Sequence, residues 1–180
     1  MGKIGRHKTV KLIASLIFGD EGMLALAEKA LLRRYGPVRG DMSRMFPFDY
    51  TDYYEEELGG GLRRKLICFE RNVDIASAPD IKIHTNRVEE RLSRGGRRTV
   101  NIDPGYVTEA KLVLLTTKDY NHRIYVGKNI YAECTLHFRK GTFTPWPWTY
   151  PDYASGDLVG YFNLVREIYM REIRNNTRLP

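Results

Sequence analysis

The sequence predicts an α+β fold built on a mostly antiparallel sheet, and three observations lead to this prediction. Apolar runs of strand length outnumber the segments with helical periodicity. Most of these runs follow one another across short turns, which is typical of antiparallel strands. The first five expected elements come in the order β-α-β-β-α. We therefore expect a ferredoxin-like β-α-β-β-α front half, an added β-hairpin and a C-terminal helix.

The front half takes its elements from apolar spacing and from residues that start or end helices. Residues 10–18 are apolar on both faces, as in a central strand. Asp20 can cap the helix that follows, and Gly36 with Pro37 ends it. The remaining elements are an extended segment at 46–54, a glycine turn at 59–61, a strand at 62–70 and a helix at 81–92. We expect the two extended segments to form a hairpin with a long connection.

The second half is expected to be richer in strands. Its elements are strands at 99–102, 111–117, 123–126 and 129–138, an irregular stretch at 145–151 and a closing helix at 157–174. Gly127 and Lys128 form a tight turn between the last two strands. Asp103, Pro104 and Gly105 have the composition of a turn that ends the first strand, with Gly105 at a positive φ.

Length and composition limit the class of protein. A chain of 180 residues forms a single domain, which could consist of two halves at 1–95 and 96–180. It contains no run of about 18 apolar residues, so we expect no membrane span. The apolar stretch near the N-terminus is too short for a secretory signal, so we expect a cytoplasmic protein. Cys68 and Cys134 lie in apolar strands without metal or redox spacing, which favours buried thiols.

The basic charge leaves the partner open. The net charge is +7 and the pI is near 9.4, which suits a polyanionic partner and is equally compatible with an ordinary soluble surface. The arginine-rich stretch at 87–98 could meet RNA phosphates. Glu89 and Glu90 dilute its positive charge, so a solvated surface remains the alternative.

Four polar residues beside a predicted strand end form the first candidate site. Lys118, Asp119, His122 and Arg123 fall within six positions, where loops commonly carry functional groups. His122 can act as a general acid or base, and Asp119 and Lys118 are the other catalytic candidates. Arg123 with Lys118 can hold a phosphate or a carboxylate. The alternative is a solvated turn in which Asp119 pairs with a neighbouring cation.

Two more segments add ligand-binding candidates. Asn101 lies on the same face of an extended segment as Asp103, so both can reach one ligand. The helix at 81–92 carries a polar stripe at helical spacing, which either lines a site or forms a solvated face with a Glu–Lys pair. The residues of this stripe are Lys82, Thr85, Asn86 and Glu89.

Carboxylates in several of these segments suggest a hard cation. Oxygen ligands of this kind suit Mg²⁺, so a divalent cation such as Mg²⁺ is the candidate cofactor. The candidate metal ligands are Asp103, Asp119, Glu133 and Glu89.

Aromatic residues alternate with prolines between Trp146 and Tyr153. Trp148 and Tyr150 are candidates for stacking on a nucleic-acid base. The other interpretation is aromatic packing of a long loop onto the domain. The chain has no Walker A motif, no G-x-G-x-x-G and no G-x-S-x-G, so its function does not follow from a phosphate loop or a nucleophile elbow.

Several segments together resemble an uncharacterised prokaryotic family, the domain-of-unknown-function family number 4416. The segments that carry the resemblance are 11–18, Thr51–Tyr54 before Glu57–Gly59, Thr85 and Asn86 with Glu89, Asn101–Tyr106, Thr116–Asp119 with His122 and Arg123, and Trp148–Tyr153. The resemblance implies a soluble bacterial or archaeal protein that stands alone as one domain. It implies no activity.

The leading hypothesis is a small protein that binds a phosphate-bearing ligand, a nucleotide or RNA, with a metal-assisted phosphoryl or nucleotidyl transfer or a hydrolysis step as the reaction class. It requires the candidate groups to converge in one pocket. The alternative is a non-enzymatic adaptor or assembly factor that acts through the aromatic segments near Tyr50–Tyr54 and Trp146–Tyr153. A third possibility is an RNA-binding module. The oligomeric state stays open.

Overall fold

The computed structural model describes residues 9–49 and 54–176 and the single positions 2, 5 and 7, without the side chains of residues 55, 56 and 176. The strands are β1 (Thr9–Phe18), β2 (Arg44–Pro47), β3 (Arg63–Asp74), β4 (Val100–Val107), β5 (Lys111–Thr116), β6 (Arg123–Gly127), β7 (Ile130–Arg139) and β8 (Thr142–Pro145). The helices are α1 (Glu21–Tyr35), α2 (Glu55–Leu58), α3 (Ala78–Leu92) and α4 (Gly156–Asn176). The fold is α+β, as predicted.

All eight strands belong to one antiparallel sheet. Its order is β2-β3-β1-β4-β5-β7-β6, and β8 also pairs with β7. β6 pairs with the first residues of β7 and β8 with its last residues, so both lie on the β7 edge away from β5. The predicted pairing of β2 with β3 is confirmed, as is the added hairpin of β6 and β7.

The sheet has helices on both faces. α1 and α3 cover one face with an apolar cluster that contains Leu24, Val88 and Ile102. α4 covers the other face, where Tyr161, Phe162 and their neighbours pack on residues of β1, β3 and β7. β1 is buried along both faces, which agrees with the apolar run that predicted a central strand.

The start and end of α1 follow from the residues that predicted them. The Asp20 carboxylate accepts hydrogen bonds from the backbone N–H groups of Gly22 and Met23. Gly36 ends the helix at φ 87°, and its N–H donates to the carbonyl of Leu32. No helix in the described part of the chain is long and apolar enough to cross a bilayer.

The predicted turn at Asp103–Gly105 is wrong, because β4 continues through these residues to Val107. Gly105 does not adopt a positive φ. A Cβ atom there would lie 2.4 Å from the carbonyl oxygen of Val113, so glycine is needed for the close approach of β5. Pro104 stands opposite Ala14 of β1 within the sheet. Composition alone suggested a turn, whereas strand pairing determines the backbone here.

The structure also differs from the prediction at two short segments, β8 and residues 46–54. β8 was not predicted, since only Pro145 of this strand fell within an assigned segment, the irregular stretch at 145–151. β8 forms because it pairs with the end of β7. The extended segment expected at 46–54 is strand only up to Pro47, and α2 begins soon after Tyr54. Residues 50–53 of that segment lie outside the described residues.

Candidate functional site

The candidate site is a cleft that opens where β4 and β5 separate. β4 pairs with β1 from Val107 back to Val100, but it pairs with β5 only over Gly105–Val107. The gap forms a cavity of about 470 Å³, which residues 114–118 and 150–153 line together with residues from α3 and β4. We call it the β4–β5 cleft. Its volume lies within the range typical of small-molecule sites.

Two side chains of α3 replace the missing strand partner along the open edge of β4. The Glu89 carboxylate accepts a hydrogen bond from the backbone N–H of Ile102. The Lys82 ammonium donates to the carbonyl oxygen of Ile102 at 3.0 Å. Pro104 lies two residues further on the same edge and has no N–H to satisfy. The polar stripe of α3 therefore faces the cleft and the sheet rather than solvent.

Glu89 is a buried carboxyl of the cleft. Burial raises the pKa of the Glu89 carboxyl above its usual value, while the nearby Lys82 cation, the N–H of Ile102 and Arg98 act to lower it. The Arg98 guanidinium lies 3.6 Å from the second carboxylate oxygen. The cleft thus contains a carboxyl that is easier to protonate than an exposed glutamate.

Besides its contact with Glu89, Arg98 organises the same wall through Glu57 and Asn101. It forms a bidentate ion pair with Glu57, with nitrogen–oxygen distances of 2.7 and 2.6 Å. It also donates a hydrogen bond to the Asn101 side-chain oxygen at 2.7 Å. Asn101 in turn donates to Asp103 at 2.7 Å. Hydrogen bonds from Arg98 lower the pKa of Glu57, the largest of several causes. The expected shared face of Asn101 and Asp103 is therefore present.

The opposite wall is built around Glu133 of β7. Its carboxylate accepts from Arg123 Nε at 2.9 Å and lies 3.1 Å from His122 Nε2. Arg123 also donates to the carbonyl oxygen of Lys118 at 3.1 Å, and its guanidinium lies 4.9 Å from the centre of the Tyr120 ring. Because Glu133 is almost fully buried, its bond to Arg123 fixes the guanidinium at one end of the cleft.

The floor contains a buried arginine that the sequence did not single out. Arg64 is only 4% exposed, and its guanidinium lies 4.9 Å from the ring centres of both Phe48 and Tyr153. It pairs with Asp152 at 2.5 Å. Arg64 lies between Arg63 and Lys65, and three consecutive cationic residues are typical of an exposed surface. The alternation of side chains along β3 could have identified it. Residues two apart lie on the same face of a strand, so Arg64 lies on the same face as the buried Leu66.

Two phenols, the half-buried Tyr54 and the buried Tyr153, complete the cleft. Burial raises the pKa of Tyr54, and it raises the pKa of Tyr153 in the same way. Both hydroxyl groups therefore stay protonated near neutral pH and can donate hydrogen bonds.

Most of the predicted site residues meet in the β4–β5 cleft. These are Lys82, Asn86, Glu89, Asn101, Asp103, Lys118, Arg123, Glu133 and Tyr150. Thr85 does not line it, because Thr85 is buried and its hydroxyl donates to the carbonyl oxygen of Lys82 in its own helix. Asp119, His122 and Trp148 also lie outside the lining.

His122 and Trp148 belong to a column of aromatic rings beside the cleft. The His122 ring stacks on Trp148 at 5.6 Å, and Trp148 stacks on Trp146 at 5.1 Å. The Trp148 indole N–H donates to the carbonyl oxygen of Cys134, and the Thr149 hydroxyl donates to that of Thr135. The aromatic segment is therefore bound to β7, which agrees with the packing interpretation for Trp148.

The candidate metal ligands are divided by the fold. Asp103, Glu89 and Glu133 line the cleft, whereas Asp119 does not and is exposed. Among the residues that the structure describes, no three His, Cys, Asp or Glu side chains are grouped so that they could hold a metal ion. The Asp103 side chain is 31% exposed, against 8% for Glu89 and 4% for Glu133. Asp103 is thus the most accessible carboxylate of the three.

Comparison with known proteins agrees with the resemblance seen in the sequence. A family model described as "Domain of unknown function (DUF4416)" matches residues 8–169. The chain belongs to this family. The matched range begins just before β1 and ends within α4, so it includes all the elements that form the cleft. No curated protein and no solved structure matches the chain significantly.

Proposed function

We propose that this member of the DUF4416 family binds a small phosphate-bearing ligand, a nucleotide or a nucleotide unit of RNA, in the β4–β5 cleft. One observation carries the proposal: five cationic side chains from four separate parts of the chain line a single cavity of about 470 Å³. They are Arg64, Lys82, Arg98, Lys118 and Arg123. Guanidinium and ammonium groups are the side chains that most often bind phosphate oxygens.

The shape and chemistry of the cleft suggest how such a ligand would lie. Lys118 and Arg123 are at the end of the cleft formed by β5 and β6, where a phosphate would meet both cations. Tyr150 is 56% exposed and Tyr120 is 59% exposed, so both offer ring surface to a base or another planar group. Asn86 supplies a donor and an acceptor on the α3 wall.

A transfer or hydrolysis step would centre on Asp103. Mg²⁺ commonly binds through one or two carboxylates together with substrate phosphates and water. Asp103 is the accessible carboxylate of the cleft, and the Asn101 amide and the Lys82 ammonium hold it in place. In this proposal His122 positions Glu133 and Arg123 from outside the cleft, because its ring nitrogen is bonded to the Glu133 carboxylate.

A thermal-shift screen of nucleotides, short RNA and Mg²⁺ tests the proposal with two matched pairs of variants. Lys118→Gln removes a cation of the cleft, and Lys128→Gln removes an exposed lysine that pairs with Asp80 instead. Tyr150→Ala removes a ring that lines the cleft, and Tyr125→Ala removes a tyrosine with nearly the same exposure, 57%. A ligand at 100 times its Kd stabilises a protein by about 2.7 kcal/mol.

We expect a phosphate-bearing ligand to raise the Tm of the wild type and of both control variants. The rise should be smaller for Lys118→Gln and Tyr150→Ala, while all four variants keep the far-UV circular dichroism spectrum of the folded protein. A screen without any hit in the wild type would contradict the proposal, as would a hit that Lys118→Gln and Lys128→Gln weaken equally.

A specific observation favours the adaptor function as the second candidate. Six of the ten large apolar side chains that are exposed in the described part of the chain lie between residues 120 and 150. They are Tyr120, Ile124, Tyr125, Val126, Trp148 and Tyr150. These residues are close in sequence, and exposed apolar residues that form one contiguous patch often mark a protein–protein contact. An empty ligand screen would favour this alternative.

A further inference from the structure

We infer that the ligand of the β4–β5 cleft carries a single phosphate group, so that a nucleoside monophosphate binds better than the corresponding triphosphate. This inference rests on the proposed function and narrows the class of ligand. It comes from the charge balance of the cleft, from the way its cations are already paired and from the absence of a backbone phosphate cradle among its described lining residues.

The charges that line the cleft almost cancel. Five cationic side chains stand against the four lining carboxylates Glu89, Asp103, Glu133 and Asp152 and against Glu57, which pairs with Arg98 at 2.6 Å. A phosphate monoester carries about −1.5 to −2 at neutral pH, and each further phosphate adds at least about one more negative charge. A single phosphate therefore adds the least uncompensated negative charge to the cleft, whereas a triphosphate adds at least about two further charges.

The cations of the cleft are also tied to carboxylates by short contacts. The nitrogen–oxygen distances are 2.5 Å for Arg64 with Asp152, 2.6 Å for Arg98 with Glu57, 2.9 Å for Arg123 with Glu133 and 3.5 Å for Lys82 with Asp103. Glu133 and Asp152 are almost fully buried, so they cannot move into solvent to make room for phosphates. Every additional phosphate would then lie close to a fixed negative charge, and such like-charge contacts weaken binding.

Sites for several phosphates usually add backbone N–H groups from a glycine-rich loop or the first turn of a helix. Among the described residues that line the cleft, none is a glycine and none belongs to the first turn of α1, α3 or α4. Lys82 is the fifth residue of α3, and Asn86 and Glu89 follow further along the helix. The side-chain donors of the cleft are thus enough to bind one phosphate. The described lining lacks the group of backbone N–H donors that usually binds several linked phosphates.

Isothermal titration calorimetry in the presence of EDTA tests the inference. The titrants are inorganic phosphate, the four ribonucleosides, their monophosphates and their triphosphates. We expect at least one monophosphate to bind the wild type about tenfold more tightly than its triphosphate, because the additional charges face carboxylates. We expect the nucleoside and inorganic phosphate to bind more weakly than this monophosphate.

Asp103→Asn removes one of the opposing charges and keeps the shape of the side chain. In this variant we expect the ratio of triphosphate to monophosphate affinity to rise by about tenfold, since one like-charge contact is lost. Asp80→Asn removes an exposed carboxylate that pairs with Lys128 outside the cleft, and it should leave the ratio unchanged.

The outcomes separate this inference from the proposed function. A wild type that binds a triphosphate as tightly as its monophosphate, or more tightly, overturns the inference and leaves the proposed function standing. A wild type that binds none of the titrants overturns both. The comparison in the wild type decides between these outcomes even if Asp103→Asn fails to fold.

Discussion

Two side chains of α3 make the backbone hydrogen bonds that a neighbouring strand usually makes. Glu89 and Lys82 satisfy the N–H and C=O of Ile102, which would otherwise be unpaired at the open edge of β4. The sequence predicted a polar stripe on α3 at the right spacing, and it left a solvated face as the alternative. It could not choose between them, because the choice depends on the separation of β4 from β5.

The pH dependence of folding should reveal the buried state of Glu89. In the unfolded chain this carboxyl titrates near its usual value of 4.5, and burial raises its pKa in the fold. Between these two values the folded protein binds a proton that the unfolded chain does not, so the free energy of unfolding falls as the pH rises. The contribution of protonated Glu89 to the free energy of unfolding is complete below pH 4.5, and it is lost as the pH rises above the pKa in the folded protein.

Urea unfolding of the wild type and of Glu89→Gln across this pH range measures the effect. Glutamine keeps an oxygen that can accept the N–H of Ile102 but cannot titrate. The stability of the wild type relative to the variant should therefore decline with rising pH, by at most about 1.4 kcal/mol per pH unit. Glu167→Gln, at an exposed glutamate of α4, is the control. A relative stability that increases over this window would contradict a raised pKa.

At the scale of elements, β4 determines where the site lies. Its first five residues have β1 on one side and the cleft on the other, and its last three pair with β5. The open edge of β4 ends at Pro104, and pairing with β5 begins at Gly105. Pro104 lacks a donor, and Gly105 leaves room for the carbonyl oxygen of Val113. The sequence contained both signals, but a Pro-Gly pair is so common in turns that it predicted the wrong structure here.

Gly105→Ala should destabilise the protein because the new methyl group would overlap the β5 backbone. We expect a loss of about 1–3 kcal/mol in the free energy of unfolding, the usual cost of overpacking. Gly160→Ala in α4 is the matched control, since nothing lies within 4 Å of a Cβ atom there and the residue is exposed. Alanine at this helical position should stabilise by about 0.4–1 kcal/mol. Equal effects of the two substitutions on urea unfolding would rule out the close contact.

At the scale of the molecule, the residues that meet in the cleft are distant in sequence. The charge pairs Arg64–Asp152 and Arg98–Glu57 join segments that the sequence gives no reason to connect. Periodicity and turn residues predicted most strands, the three long helices and nine of the residues that line the cleft. Arg64 and Asp152 were missed, and Arg98 was considered only as part of the arginine-rich stretch at 87–98. Their roles depend on the order of strands in the sheet, which local sequence patterns do not determine.

The same long-range contacts predict that residues 1–95 and 96–180 unfold together. β1 of the first part pairs with β4 of the second from Lys11 opposite Val107 to Phe18 opposite Val100. The Tyr161 hydroxyl of α4 donates to the carbonyl oxygen of Met42 at 2.9 Å. Neither part has a complete core of its own, since the apolar cluster under α4 contains residues from both. Unfolding should therefore be a single cooperative transition.

Leu24→Ala provides a direct test, because Leu24 is a buried residue of α1 in the first part. Both tryptophans of the chain, Trp146 and Trp148, lie in the second part, so their fluorescence reports on that part alone. We expect Leu24→Ala to cost about 2–5 kcal/mol and to move the urea midpoint equally by tryptophan fluorescence and by far-UV circular dichroism. Leu164→Ala, at a residue that is 38% exposed, should shift both midpoints far less. A fluorescence midpoint that Leu24→Ala leaves in place would mean that the second part folds independently, and the cleft would then lie between two separable units rather than within one.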